Sequence, residues 1–294
     1  MSYYELYVSP SPVFTGVQKP FEEADYVVIG VPFDATSTFR SGARFAPLAI
    51  REASLNMETY SFRSNMDVED LKLHDLGDLH VSGRVDETLN RLKLVVKSLL
   101  DAGKTPVIIG GEHTVTLGAM RAVGGNTTLV SFDAHLDLRN EYLERKVSHT
   151  TFMRRIHEEI RPKKILEVGT RAVCKEELDY AEKAGIQFLT AHQIRQSGAE
   201  KTIENVLADC ENVYLTMDMD VLDPAFAPAV QNPEPDGLSI YTFLDLICTV
   251  CDQRVVTFDL VEVTPHYDSG VTAIQAAKTL FEALCHIEKG RRKR

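Results

Sequence analysis

The sequence predicts an α/β fold: a mostly parallel sheet of about eight strands, covered by helices on both faces. Three observations carry that expectation. Short apolar runs alternate with longer helical patterns along the chain, as in repeated strand–helix units. Glycines close several of the runs and helices. Acidic and histidine side chains gather just after four of the apolar runs, and open parallel sheets bind ligands beyond the carboxyl ends of their strands. No repeat, low-complexity linker or composition break interrupts the pattern, so residues 1–294 are read as one domain.

In chain order, YVVIGVPF (26–33) has a buried-strand pattern, FAPLAIREASLNM (45–57) reads as a helix and LKLHDLG (71–77) as a short strand. VDETLNRLKLVVKSLLDAG (85–103) sets Leu89, Leu92, Val96 and Leu99 on one helical face, with Gly103 as a stop. TPVIIGG (105–111) and TTLVSFD (127–133) are strands, as is KKILEVG (163–169), followed by the helical KEELDYAEKAG (175–185). IQFLT (186–190) is a strand, AEKTIENVLADC (199–210) a helix and NVYLTMD (212–218) a strand. SIYTFLDLICTVC (239–251) is a helix, RVVTFDLVEV (254–263) a strand, and GVTAIQAAKTLFEALCHI (270–287) a closing helix.

A formal net charge of −11 disfavours a nucleic-acid partner. The basic GRRKR (290–294) is read as a solvated tail. No stretch approaches the ~20 apolar residues that cross a bilayer, and the N-terminus lacks a signal-peptide pattern. Five cysteines without scaffold spacing fit reduced thiols in the cytoplasm. Cys248 and Cys251 form a C-x-x-C inside an apolar helix and are read as packing.

The chemistry concentrates in FDAHLD. Asp133, His135 and Asp137 occupy alternate positions after an apolar run, so a continuing strand would point all three to one side. Asp218 and Asp220 follow a second strand, and His113 a third. Unpaired charges are costly away from water, so a compensating cation is expected. Four carboxylates and two imidazoles without sulfur suit Mn²⁺ better than structural Zn²⁺. With bridging carboxylates the set can hold two ions roughly 3.5–4 Å apart, and a water between them would become a hydroxide nucleophile near neutral pH.

The motifs GGEH (110–113), DAHLD (133–137), SH (148–149), MDMDVLDPAFAP (217–228) and VEVTP (261–265) resemble, in order, those of the ureohydrolase family, which includes arginase and agmatinase. RSGARFAPLAIREAS (40–54) resembles the agmatinase-like N-terminal segment. The resemblance implies a three-layer α/β/α fold, a binuclear manganese centre and a homo-oligomer, a trimer or hexamer. It implies that His113, Asp133, Asp137 and Asp218 hold one ion and Asp133, His135, Asp218 and Asp220 the other. His149 matches the family's proton shuttle and Glu262 its guanidinium acceptor; a structural pair between Glu262 and Arg171 is the alternative.

Among the family's substrates agmatine is expected, giving putrescine and urea. Arginases recognise the α-groups of arginine partly through a segment resembling R-D-V-D, and here it reads RAVC, with Ala172 and Cys174 in place of the acids. Two departures bear on this. Thr150 follows His149 where the family has glycine, and the usual glycine-rich loop reads PAVQNPEPDG (228–237). Another guanidino or formimino compound, such as guanidinobutyrate or arginine, and a catalytically silent oligomeric relative are the other readings.

Overall fold

The computed structural model describes residues 2–293. Its strands are β1 (Val8–Ser9), β2 (Tyr26–Gly30), β3 (Tyr60–Ser61), β4 (Met66–Asp67), β5 (Leu73–Leu79), β6 (Thr105–Ile109), β7 (Thr128–Phe132), β8 (Lys164–Thr170), β9 (Gln187–Thr190), β10 (Val213–Asp218) and β11 (Val255–Val261). Nine of them make one sheet in the order β1-β5-β2-β6-β11-β10-β7-β8-β9, and β3 and β4 pair separately. All eight expected strands are present. The ninth, β1, is a two-residue edge strand antiparallel to β5, too short to leave a periodic signal. Every other pairing in the sheet is parallel.

Alternate strand residues serve opposite faces, and this produces three layers. In β2, Tyr26 and Val28 pack with helices Ala46–Ser54, Ile240–Val250 and Val271–Arg292. Val27 and Ile29 belong to the opposite core, which continues under helices Val85–Asp101, Val115–Val123 and Lys175–Ala184. Helix Val115–Val123 was not singled out in the sequence; its residues 115–120 are all buried and only its last turn reaches partial exposure. Gly118 brings it against its neighbour: a Cβ there would lie 3.0 Å from the Leu89 carbonyl oxygen.

The basic C-terminal run is a solvated tail only in part: Arg292 and Lys293 are exposed, but Arg291 is not free. Gly290–Arg292 continue the last helix, and Arg291 lies over the Tyr26 ring at 4.6 Å and donates to Thr105 Oγ1 at 2.6 Å. Arg294 lies outside the described residues. Among the described residues no helix is long and apolar enough to cross a membrane. Cys251 is buried and the burial of Cys248 pushes its thiol up to about 12, as expected of packing residues.

Arg51, fully buried, fixes the first helix of this core to β5. It makes a two-pronged pair with Asp75 (Nε to Oδ2 2.8 Å, Nη2 to Oδ1 2.9 Å) and reaches Asp78 at 2.6 Å. Removing one partner of such a pair strands a buried charge, at about 3–5 kcal/mol. Asp75→Ala is therefore expected to lower the free energy of unfolding by about that much in urea titration; a change below about 1 kcal/mol would show that water or a neighbour replaces the carboxylate.

Candidate active site

The four central strands β6, β11, β10 and β7 are neighbours, and their carboxyl ends supply the site. His113 lies beyond β6, Glu262 directly follows β11, Asp218 ends β10 and Asp133 directly follows β7. All eight residues singled out in the sequence come together here. One expectation about how they do so is wrong. The pleat does not align Asp133, His135 and Asp137, because β7 ends at Phe132 and the chain bends. Asp137 takes a left-handed φ of 51°, and it is this turn that swings its carboxylate back towards His113.

Two triads, His113–Asp133–Asp137 and Asp133–His135–Asp220, each gather ligand atoms within 4.8 Å of one another, and Asp133 belongs to both. His113 Nδ1 lies 3.1 Å from Asp133 Oδ2, 3.0 Å from Asp218 Oδ2 and 3.8 Å from Asp137 Oδ2. His135 Nδ1 lies 3.1 Å from Asp220 Oδ2 and 3.5 Å from Asp133 Oδ1. Backbone N–H groups orient the acids: His135 N donates to Asp133 (2.6 Å), Asp220 N to Asp218 (2.8 Å) and Ala134 N to Asp220 (3.1 Å).

The tautomer of His113 follows from what lies behind it. The Thr216 hydroxyl donates to the buried Asp259 at 2.5 Å, so it accepts from His113 Nε2 at 2.8 Å. The Nδ1 lone pair then faces three carboxylates, and Nδ1 has no hydrogen-bond partner although it is buried. A cation between these groups satisfies all of them. Oxygen and imidazole donors without sulfur fit a hard or borderline divalent ion, and the Asp259–Thr216–His113 chain is the outer support that metal-bound histidines commonly have.

Protons otherwise carry the compensating charge. Burial, followed by neighbouring carboxylates, raises the carboxyls of Asp218 and Asp137 well above their ordinary range. Burial opposes charge on His113 and His135, yet the acids beside them raise both. Asp133, despite burial, is held low by His113 and His135.

Beside the cluster opens a cleft of about 490 Å³, with Glu262 and His149 on its wall. His149 Nδ1 lies 3.8 Å from Glu262 Oε1, and its Nε2 is 3.1 Å from Thr38 Oγ1. Burial, with His135 and His113 nearby, pushes His149 down to about 3, so it is uncharged at neutral pH. Burial raises Glu262 to about 8. Arg171 does not pair with Glu262. Its guanidinium donates instead to the carbonyls of Asp220 (2.6 Å), Glu234 (2.9 Å) and Pro235 (3.0 Å), clasping the 228–237 loop to the acidic turn. Asp223 caps Ala225 and Gly237.

Several site residues left no signal in the sequence. Thr36 and Thr38 arrive on a loop held by Glu112, a buried carboxylate that accepts from Thr36 N (2.7 Å), Thr36 Oγ1 (2.6 Å) and Thr114 Oγ1 (2.7 Å). Burial raises Glu112 to about 7. Arg139, Asn232 and Glu234 also line the cleft. Their types are ordinary for loops, and only long-range packing brings them here. His74 and His80 bond to Lys19 and Ser9 instead, and none of His74, His80 and His266 lines the cleft.

Metal must displace the protons on these ligands. Affinity for Mn²⁺ is therefore expected to rise with pH from 6 to 8 and binding to release protons, read by calorimetry in buffers of different ionisation enthalpy. Binding that is independent of both pH and buffer would contradict the assignment.

A sequence model of the Arginase family matches residues 24–286. The chain is 35% identical to the agmatinase of Bacillus anthracis over 281 residues, covering 92% of this chain and 95% of that protein. It is 36% identical to the N(1)-aminopropylagmatine ureohydrolase of Thermococcus kodakarensis over 267 residues, covering 90% and 91%. The crystal structure of the agmatine ureohydrolase of Thermoplasma volcanium superposes with a TM-score of 0.91 at 36% identity, covering 97% of each chain. With this fold, and with the acidic cluster at the centre of its sheet, the chain belongs to the arginase family and is a hydrolase of the ureohydrolase type.

Proposed function

We propose that the chain hydrolyses agmatine to putrescine and urea, with two Mn²⁺ ions as cofactor. The observation that carries this reading is the shared Asp133: two ligand triads meet at one carboxylate, beside a cleft walled by Glu262. His113, Asp133, Asp137 and Asp218 would hold one ion and Asp133, His135, Asp218 and Asp220 the other. The ions, when bound, would acidify the attacking water so that it can act as a nucleophile near neutral pH.

Glu262 accepts the substrate guanidinium, a planar cation that matches a carboxylate through two parallel hydrogen bonds. The buried carboxylate and its cationic guest neutralise each other. His149 begins the cycle uncharged. An uncharged ring can only accept first, taking the proton released as the attacking water adds, and burial, which disfavours the charged ring, makes it ready to pass that proton on. It then returns that proton to the leaving amine, which could not depart as an anion.

Ala172 and Val173 line the cleft and offer no acid to an α-ammonium group. An α-ammonium held beside them without a charged partner would cost roughly several kcal/mol, and ~1.4 kcal/mol is tenfold in rate; the charged groups elsewhere on the wall include Arg139, Glu177 and Glu234. Arg139, another wall residue, favours a second reading, in which the substrate ends in a carboxylate, as 4-guanidinobutyrate does.

His149→Ala is expected to lower turnover by about 10²–10⁴-fold while metal content stays unchanged; full turnover in that variant would remove His149 from the proton path. Specificity constants under manganese saturation should place agmatine well above arginine. Arginine ranking first would overturn the reading of Ala172 and Val173, guanidinobutyrate ranking first would favour the role of Arg139, and no urea from any of them would mark a catalytically silent relative.

A further inference from the structure

Glu262 holds a left-handed φ of 72°. A non-glycine residue stays in that region only when its surroundings over-determine it. Four hydrogen bonds do so here. Its N–H donates to Gly111 O (2.8 Å), and its carbonyl accepts from Gln231 N (3.2 Å). Oε1 accepts from His113 N (2.6 Å) and Oε2 from Gln231 Nε2 (2.6 Å). Two of the four come from one residue, Gln231, through its backbone and its side chain.

Gln231 lies in the 228–237 loop that stood out in the sequence for its missing glycines. It is 0% exposed and does not line the cleft, so it stands behind Glu262. Its Oε1 faces Ser37 Oγ, and its carbonyl accepts from Arg40 N at 3.4 Å. An amide shows a donor on one side and an acceptor on the other. Facing a bound guanidinium, Glu262 is an acceptor-only carboxylate, which requires the donor side of the amide and leaves Oε1 to take the Ser37 hydroxyl proton.

Each carboxylate oxygen offers two lone-pair directions. The His113 N–H and the Gln231 amide use one on each oxygen. The remaining one on each is what a two-pronged guanidinium contact requires. We propose that Gln231 is a positioning residue for the guanidino substrate: its amide, oriented by Ser37, sets the Glu262 carboxylate so that both free lone pairs face the cleft. This rests on the guanidino-hydrolase reading above and adds to it a relay, Ser37–Gln231–Glu262, that links the 34–40 loop to the substrate seat.

The test uses the manganese-loaded full chain and the variants Gln231→Met, Gln231→Ala, Ser37→Ala and the Ser37→Ala/Gln231→Met double. Methionine keeps the volume and removes the donor. The expected result for Gln231→Met is a fall in kcat/KM of about ten- to a hundredfold, the size of a hydrogen bond to a charged group. KM should rise and kcat fall, with metal content and Tm near those of the parent. Ser37→Ala should lose less, and the double variant no more than Gln231→Met alone, as for residues acting through one contact. Parental kcat/KM in Gln231→Met, a loss matched by loss of metal or of Tm, or additive losses in the double would each overturn the proposal. If neither Gln231 variant folds, Ser37→Ala decides by the same split of kcat/KM against Tm. If the parent releases no urea, the functional reading fails separately, and calorimetric binding of guanidinium ion decides. Binding about tenfold weaker in Gln231→Met sustains the relay, while equal binding, or none by the parent, overturns it.

Discussion

Four carboxylates buried within a few ångströms of one another are the constraint on which the rest of this structure depends. Asp133, Asp137, Asp218 and Asp220 are all at most 8% exposed, and like charges at that spacing cannot all persist without compensation. Protons and the two imidazoles provide it in the bare chain. Divalent ions would provide it with less cost to the acids, because Nδ1 of His113 already points among them and becomes a ligand once its proton leaves. A site of this kind needs a fixed frame, and the ends of the four central strands of a nine-stranded, mostly parallel sheet provide it.

That frame reaches the acids mainly through backbone groups. Peptide N–H donors hold Asp133, Asp218 and Asp220, and they cannot rotate away as side-chain donors can. Two residues of the site, Asp137 and Glu262, sit at left-handed φ values of 51° and 72°. Such strain costs about 1–3 kcal/mol each, and the surrounding hydrogen bonds offset it. Cluster and acceptor therefore have one geometry before any substrate arrives, so little reorganisation remains for the reaction.

The cleft beside the cluster is made by loops, yet these loops are not loose. Glu112 anchors the segment carrying Thr36 and Thr38, and Arg171 binds two separate stretches of carbonyls, 220–222 and 234–235. Buried Glu112 and half-buried Arg171 thus serve structural work next to the chemistry. Arg171 belongs to RAVC, so one short segment both fixes the loop and, through Ala172 and Val173, shapes the apolar wall of the cleft.

The sequence by itself determined the eight long strands, most of the covering helices and the residues that gather at the site. Apolar periodicity is local, and a strand or helix buries its residues by that period wherever it packs. The acidic motifs were legible because carboxylates crowded at the ends of buried strands repel one another and lose hydration unless a cation joins them. Only the tertiary structure decided the rest. It showed that a turn and not the pleat brings Asp137 to His113, that residues 115–120 of helix Val115–Val123 are all buried, and that Arg291 packs on Tyr26. It also set His149 uncharged and placed Gln231 against Glu262. Each of these depends on burial or on contacts between residues far apart in the chain, and neither an environment's polarity nor a long-range neighbour is written into the residues on either side.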